Sequence, residues 1–199
     1  MLINFIQKCL FNTKGQATNN FTKVLPELQS DLATQIIKDP YKFDFLTITE
    51  DYREKELEIA LTENMTNFLL ELGRGFAFVG KQVPLIVGDD EFRLDLLFYH
   101  LKLRCYVAIE LKTGKFSPKD LGQLGFYVST INHQYKTEDD NPTIGMIICK
   151  EKNNTVAKYT LEGCAAPIGI SEYELTNLIP ENYKSSLPSI KEIEEELNE

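Results

Sequence analysis

Asp95, Glu110 and Lys112 are the residues whose types and spacing could do chemistry. They lie in two strand-like runs, Glu91–Tyr99 and Tyr106–Lys112, in which charge interrupts a strongly apolar alternation. Successive side chains on a strand point to opposite faces. Phe92, Leu94, Leu96 and Phe98 are therefore expected on one face, with Asp95 on the other beside Arg93 and Tyr99. Val107, Ile109 and Leu111 are expected together, with Glu110 and Lys112 projecting from the opposite side. Two carboxylates and an ammonium within apolar strands are costly to desolvate unless something pairs with them. A divalent cation is such a partner. Asp95 and Glu110 offer hard oxygen ligands, and Mg²⁺ keeps its remaining positions for water and a substrate phosphate. Lys112 then faces the same point, where it can hold an attacking water or stabilise charge on a phosphate in transit. Taken alone, the three residues fit an exposed hairpin more simply, with Asp95 paired to Arg93, Arg104 or Lys112.

The surrounding elements decide whether these groups can meet. Folding the two runs into a hairpin brings Asp95 opposite a position within a few residues of Glu110, with the parity for a shared face. Upstream, Leu57, Leu61, Met65, Phe68 and Leu72 recur at helical spacing, predicting one helix over 51–72 with Thr49 as N-cap and Gly73 as stop. Glu58 flanks that stripe and could turn toward a metal, in competition with Glu54, Glu56 and Glu63. Residues 75–87 read as a long strand with an irregularity at Gly80 or Pro84, closed by a turn at Gly88–Asp90. Downstream, Ser117-Pro118-Lys119-Asp120 predicts a capped helix running to about Ile131. Gln123 and Tyr127 stand one turn apart on it, and Gly122 and Gly125 are expected to allow close approach to a sheet or ligand. Residues 143–149 read as a buried central strand, 153–161 as a helix and 166–170 as a last short strand. Before all of these, a short helix is expected over 28–38.

Composition sets outer limits. The chain has 199 residues, 43% hydrophobic and 26% charged, enough for one sizeable core, and no apolar run long enough to span a bilayer. The first eleven residues lack the basic start and cleavage site of a signal peptide. The four cysteines (Cys9, Cys105, Cys149 and Cys164) are scattered, which suits reduced thiols in a cytoplasmic protein. His100 and His133 lack zinc-ligand spacing and read as structural or surface residues. A net charge of −9 argues against binding nucleic acid with the whole surface. The segment from Arg93 to Lys119 is nevertheless locally basic, and Arg104, Lys115 and Lys119 together make a candidate phosphate track. Tyr99 and Tyr106 are read as cross-strand packing or base-stacking residues.

The order of elements, an acid-bearing strand pair followed by a helix with Gln123-x-x-x-Tyr127, resembles the PD-(D/E)xK nuclease superfamily and the Q-x-x-x-Y motif of its exonuclease branch. Phe68-Leu69-Leu70-Glu71-Leu72-Gly73, Gly75-Phe76-Ala77-Phe78-Val79-Gly80, Asp95-Leu96-Leu97-Phe98-Tyr99-His100 and Ile109-Glu110-Leu111-Lys112 resemble the YhcG-type nuclease domain more closely. So do Lys38-Asp39-Pro40-Tyr41 and Asp140-Asn141-Pro142. The resemblance covers roughly residues 20–180. It implies an α/β, restriction-endonuclease-like mixed central sheet flanked by helices, with an αβββαβ core. It also implies a Mg²⁺- or Mn²⁺-dependent endonuclease acting on DNA. Asp95, Glu110 and the Leu111 carbonyl would then bind metal, with Glu58 as a supplement. Lys112 would position and activate water, Gln123 would orient the site or a phosphate, and Tyr127 would contact DNA. The superfamily's proline is replaced by Leu94. The expected organisation is an amino-terminal arm or helical-domain remnant over 1–45, a nuclease-like domain over 46–180 and an acidic tail over 181–199. Family members usually carry a separate amino-terminal helical domain, so a homodimer or a partner subunit is expected to supply DNA targeting. The competing expectation, from the acidity and the short arm, is a catalytically weak or inactive binding or assembly module on the same scaffold.

Overall fold

The structure, a computed structural model, describes residues 17–179. In chain order the elements are β1 (Thr18–Asn19), α1 (Phe21–Val24), α2 (Glu27–Ile36), β2 (Tyr41–Lys42), β3 (Ile48–Thr49), α3 (Glu54–Glu63), α4 (Met65–Leu72) and β4 (Phe76–Val87). They continue with β5 (Asp90–His100), β6 (Cys105–Lys115), α5 (Pro118–Gln134), β7 (Ile144–Glu151), α6 (Asn154–Glu162), β8 (Ile168–Glu174) and β9 (Leu178–Ile179). The main sheet runs in the order β1-β8-β7-β6-β5-β4, with β2 also on β8, and β3 and β9 form a separate parallel pair. β4, β5 and β6 are antiparallel, whereas β6, β7 and β8 are parallel. This is the mixed α/β sheet expected from the sequence.

Helices cover both faces of the sheet. One cluster packs Leu57, Leu61, Phe68 and Leu72 of α3 and α4 against Leu96, Phe98, Val107, Ile109 and Leu111. Phe21, Ala33, Ile37, Tyr41, Phe43 and Leu46 belong to that same cluster, so the described amino-terminal segment shares its core. The other packs Leu121, Leu124, Val128 and Ile131 of α5, and Ala157 and Leu161 of α6, against Leu94, Leu97, Ala108 and Ile147. Each fully buried aliphatic side chain contributes about 1.5–3 kcal/mol of transfer free energy, so these two layers dominate the fold's stability.

The sequence expectations hold for α5, whose Ser117 N–H donates to Asp120 Oδ2 (2.8 Å), and for α6, whose cap Asn153 accepts from the N–H groups of Thr155 and Val156. α5 extends to Gln134, so His133 lies within its last turn, its ring Nδ1 against Ser129 O. Four expectations need correction. The single helix over 51–72 is two helices divided at Asn64, whose backbone leaves helical geometry (φ −102, ψ 36) while its N–H and its side-chain amide both donate to Ala60 O (3.1 and 3.0 Å). Its first helix is capped at Arg53, because Thr49 is taken up in β3. Leu94 joins the α5 side while Leu96 and Phe98 join the α3–α4 side, so β5 changes face at Asp95. Finally, a Cβ at Gly122 or Gly125 would meet nothing within 4 Å, so neither glycine is needed for close approach to the sheet.

Candidate active site

The β5–β6 ladder explains where the acids sit. It pairs Leu96–His100 with Cys105–Ile109 and ends at Leu96↔Ile109. Beyond that point β5 stays with β4, through to Val87↔Asp90, while β6 stays with β7. The strands thus open a fork. Extending the register by one residue sets Asp95 opposite Glu110, each on the first position past the split. Leu111 N–H, freed from β5 backbone pairing, donates to Asp95 Oδ2 (2.9 Å).

Four elements converge on the fork. β6 supplies Glu110 and Lys112, and Lys112 Nζ lies 3.2 Å from Glu110 Oε1. α3 supplies Glu54 and Glu58 from one face, and Glu54 Oε2 lies 3.4 Å from Lys112 Nζ. α5 supplies Gln123, whose Nε2 donates to Glu110 Oε1 (3.0 Å) and to the Tyr127 hydroxyl (3.0 Å). β4 supplies Gln82, whose Nε2 donates to Asp95 Oδ1 (3.1 Å) and to Glu58 Oε2. Glu54, Lys55, Glu58, Gln82, Arg93 and Asp95 line a cleft of about 480 Å³ beside the fork.

Burial makes the acids reluctant to ionise. Glu110 is 3% exposed, and its pKa is pushed up to about 8 by burial first and the Asp95 carboxylate second, with Lys112 pulling the other way. Asp95 is also raised by burial, countered by the Leu111 N–H and Lys112. Burial raises Glu58, countered by its bond from Gln82. Burial alone would lower Lys112, but Glu110 and Glu54 outweigh it and hold the group above its ordinary value. Lys112 is therefore an ammonium at neutral pH. It can orient water and neutralise charge, and it is not a free base in this state.

A divalent cation fits this donor set. Glu110 Oε2 is buried and has no hydrogen-bond partner, although a buried polar oxygen normally has one. In an extended strand a residue's carbonyl leaves on the same side as its N–H, and the Leu111 N–H goes to Asp95. Among the described residues no three His, Cys, Asp or Glu side chains form a ready metal-binding group. The fit is thus to two carboxylates and a carbonyl, and Glu58 reaches Asp95 only through Gln82.

Asp95, Glu110, Leu111, Lys112, Gln123 and Tyr127 are therefore brought together, and Glu58 adjoins them. The basic residues are not. Arg104 sits at the β5–β6 turn, at φ +50, whereas Lys115 ends β6 and Lys119 opens α5. At about 3.3 Å per strand residue, Arg104 and Lys115 lie on the order of 30 Å apart along β6. His100 is 1% exposed, its Nδ1 accepting from Leu103 N–H while its ring lies under Gly75, a structural position. Tyr99 pairs with Tyr106 across the strands, ring centroids 5.2 Å apart, and its hydroxyl donates to Asp140. Cys105, Cys149 and Cys164 are free thiols, and Cys9 lies outside the described residues. Among the described residues no helix is long and apolar enough to cross a membrane.

Sequence reasoning missed Gln82. Its only signal is positional: it falls between the Lys81↔Leu96 and Val83↔Leu94 pairs, opposite Asp95, downstream of the register shift between Phe78 and Gly80.

A forked mixed sheet presenting two acids and a lysine is the arrangement of a PD-(D/E)xK nuclease domain. Residues 34–188 match the family model for the YhcG PDDEXK nuclease domain, and the chain belongs to that family. It is 39% identical over 176 residues to YhcG of Escherichia coli (strain K12), a protein whose name assigns it a nuclease role provisionally. The match covers 88% of this chain but 42% of that protein, so the chain spans less than half the relative's length. Among solved structures, a repair endonuclease from Pyrococcus abyssi matches at 20% identity and TM-score 0.42, covering 66% of this chain and 50% of its own. An EndoMS–double-stranded DNA complex matches at 19% identity and TM-score 0.43, with the same coverage.

Proposed function

We propose that this domain hydrolyses DNA phosphodiester bonds with Mg²⁺ or Mn²⁺ held by Asp95, Glu110 and the Leu111 carbonyl, Glu58 standing by as a supplementary carboxylate. The observation that carries the reading is the buried, unpartnered Oε2 of Glu110 beside Asp95, two adjacent acids that burial and mutual repulsion make reluctant to ionise without a cation. When bound, the cation supplies a Lewis acid for a phosphate oxygen and acidifies water.

Each neighbouring residue then has a task. Lys112, restrained by Glu54 and Glu110, holds the attacking water and offsets charge building on the phosphate. Gln123 fixes the Glu110 carboxylate in one orientation and is itself steadied by Tyr127. Tyr127 is 5% exposed, so its part is to brace Gln123, with DNA contact limited to its edge. Lys115 and Lys119 flank one end of β6 and form the phosphate-binding rim, with Arg104 serving a distant part of a long duplex. The net charge of −9 and the separation of these cations favour a second copy or a partner subunit that adds DNA affinity. The buried, free Cys105 and Cys149 suit a reducing, cytoplasmic setting.

The test is incubation of the purified protein with plasmid and linear DNA, and with RNA in parallel, with Mg²⁺ or with EDTA. Cleavage is expected with DNA and Mg²⁺ only, and Asp95→Ala and Lys112→Ala are expected to abolish it. Equal residual cleavage by the wild type and both variants overturns the assignment in favour of an inactive binding module.

A further inference from the structure

Gln82 stands in an uncommon backbone state for the middle of a strand. Its φ is +47, in the left-handed region that residues other than glycine enter rarely and at a cost. The strand adopts it at the one position of β4 that lies opposite Asp95. The consequence is specific: a single NH₂ group is set between two carboxylates, donating to Asp95 Oδ1 and Glu58 Oε2. Without Gln82 those acids would face each other across the cleft with like charge and no shared donor.

A carboxamide has two nearly isosteric ends of opposite character, a donor NH₂ and an acceptor oxygen. A half-turn about its last torsion exchanges them without moving the backbone. From this geometry we infer that Gln82 is a two-state ligand of the fork: it bridges Asp95 and Glu58 through Nε2 when no cation is present, and turns Oε1 to a divalent cation when one binds. Gln82 thereby recruits Glu58 to the metal-binding group and sets how many anionic charges that group presents. This inference rests on the nuclease reading of Asp95 and Glu110 and adds a neutral oxygen donor to it.

The experiment is calorimetric titration of the full chain with Mn²⁺ and Mg²⁺, together with the melting temperature in EDTA and the side-chain amide signals of a ¹⁵N-labelled sample. Two Gln82 variants are used, with Asp95→Ala and Glu110→Ala as controls for the site. Gln82→Glu keeps the reach and replaces the NH₂ with a third anionic oxygen. Gln82→Gly removes the side chain and suits the positive φ, so it folds without the backbone strain. Gln82→Glu is expected to melt lower than the wild type in EDTA yet to bind Mn²⁺ about tenfold tighter, because affinity follows ligand charge. Gln82→Gly is expected to bind about tenfold more weakly by loss of one donor. A pair of wild-type amide signals, absent from Gln82→Gly, is expected to shift on adding diamagnetic Mg²⁺. If the wild type binds cations in an Asp95- and Glu110-dependent manner while both Gln82 variants bind alike and the amide pair stays fixed, the Gln82 inference falls and the nuclease reading stands. If the wild type binds neither cation, both fall together.

Discussion

Two clusters of charge lie within this small domain, and they are built on opposite terms. At the outer end of β7 and β8, Lys152 Nζ is paired with Asp39 and donates to Ile170 O, while Asp39 Oδ1 accepts from Glu172 N–H and Glu172 Oε1 accepts from Lys152 N–H. The Lys152 and Asp39 side chains are 2% and 11% exposed, and each is met by donors or acceptors from neighbouring backbone. At the fork, three acids (Glu54, Asp95 and Glu110) act on one ammonium, Lys112, and Glu110 keeps an oxygen with no partner. The first cluster is closed and ties the amino-terminal segment to the sheet. The second is open and leaves a buried acid oxygen without a partner. Burial alone does not mark a functional site; an imbalance that the fold leaves in place does.

Substitutions should separate the two clusters. Asp95→Asn is expected to reduce DNA cleavage by at least about a thousandfold, as loss of a metal ligand and of electrostatic stabilisation would. The same change should leave the metal-free protein as stable as the wild type or more so, read by denaturant unfolding. Lys152→Ala should do the reverse. Stranding Asp39 in a buried position is expected to cost about 3–5 kcal/mol of stability, with Mn²⁺ affinity per folded molecule unchanged in calorimetry. A Lys152→Ala protein as stable as the wild type would sink the distinction.

Acidity offers a subtler contrast. The Glu110 pKa near 8 lies above the ordinary carboxylate value, so between those pH values the folded metal-free protein binds more protons than the unfolded chain. Its stability should therefore fall as pH rises from about 5 to about 8, by on the order of 1–3 kcal/mol, and Glu110→Gln should flatten that slope. Thermal unfolding in EDTA across that range checks it. The smallest effect is expected from Tyr127→Phe. Loss of the hydroxyl that accepts from Gln123 should lower cleavage by about tenfold or less, through kcat, with melting within about 1 kcal/mol of the wild type.

Much of this arrangement was legible from residue order. The apolar spacing of Leu57, Leu61, Phe68 and Leu72, the Ser117-Pro118 helix start and the hairpin parity of Asp95 with Glu110 are local facts, and local physics decides them. The fork, the break at Asn64 and the role of Gln82 are not local. Asn64 ends α3 by leaving the helical region of the backbone (φ −102, ψ 36), which propensity does not reveal. Gln82 matters because β5 leaves β6 at Asp95, and the face change between Leu94 and Leu96 depends on what each strand packs against. Alternation within one strand holds only while its neighbours stay paired. The candidate site sits where that ceases to be true.

The outer edge of β8 carries a consequence for the order in which the chain assembles. Thr18–Asn19 pairs with Gly169–Ile170, and Tyr41–Lys42 pairs with Tyr173–Glu174. These amino-terminal strands of the domain thus find their partner strand only after nearly the whole domain has been made. Their backbone pairing with β8 cannot form until β8 emerges, and β8 on emerging has an unpaired edge until they pair with it. Closing this edge is a long-range event of the kind that slows folding, and it makes the completed sheet depend on both ends of the domain being present together.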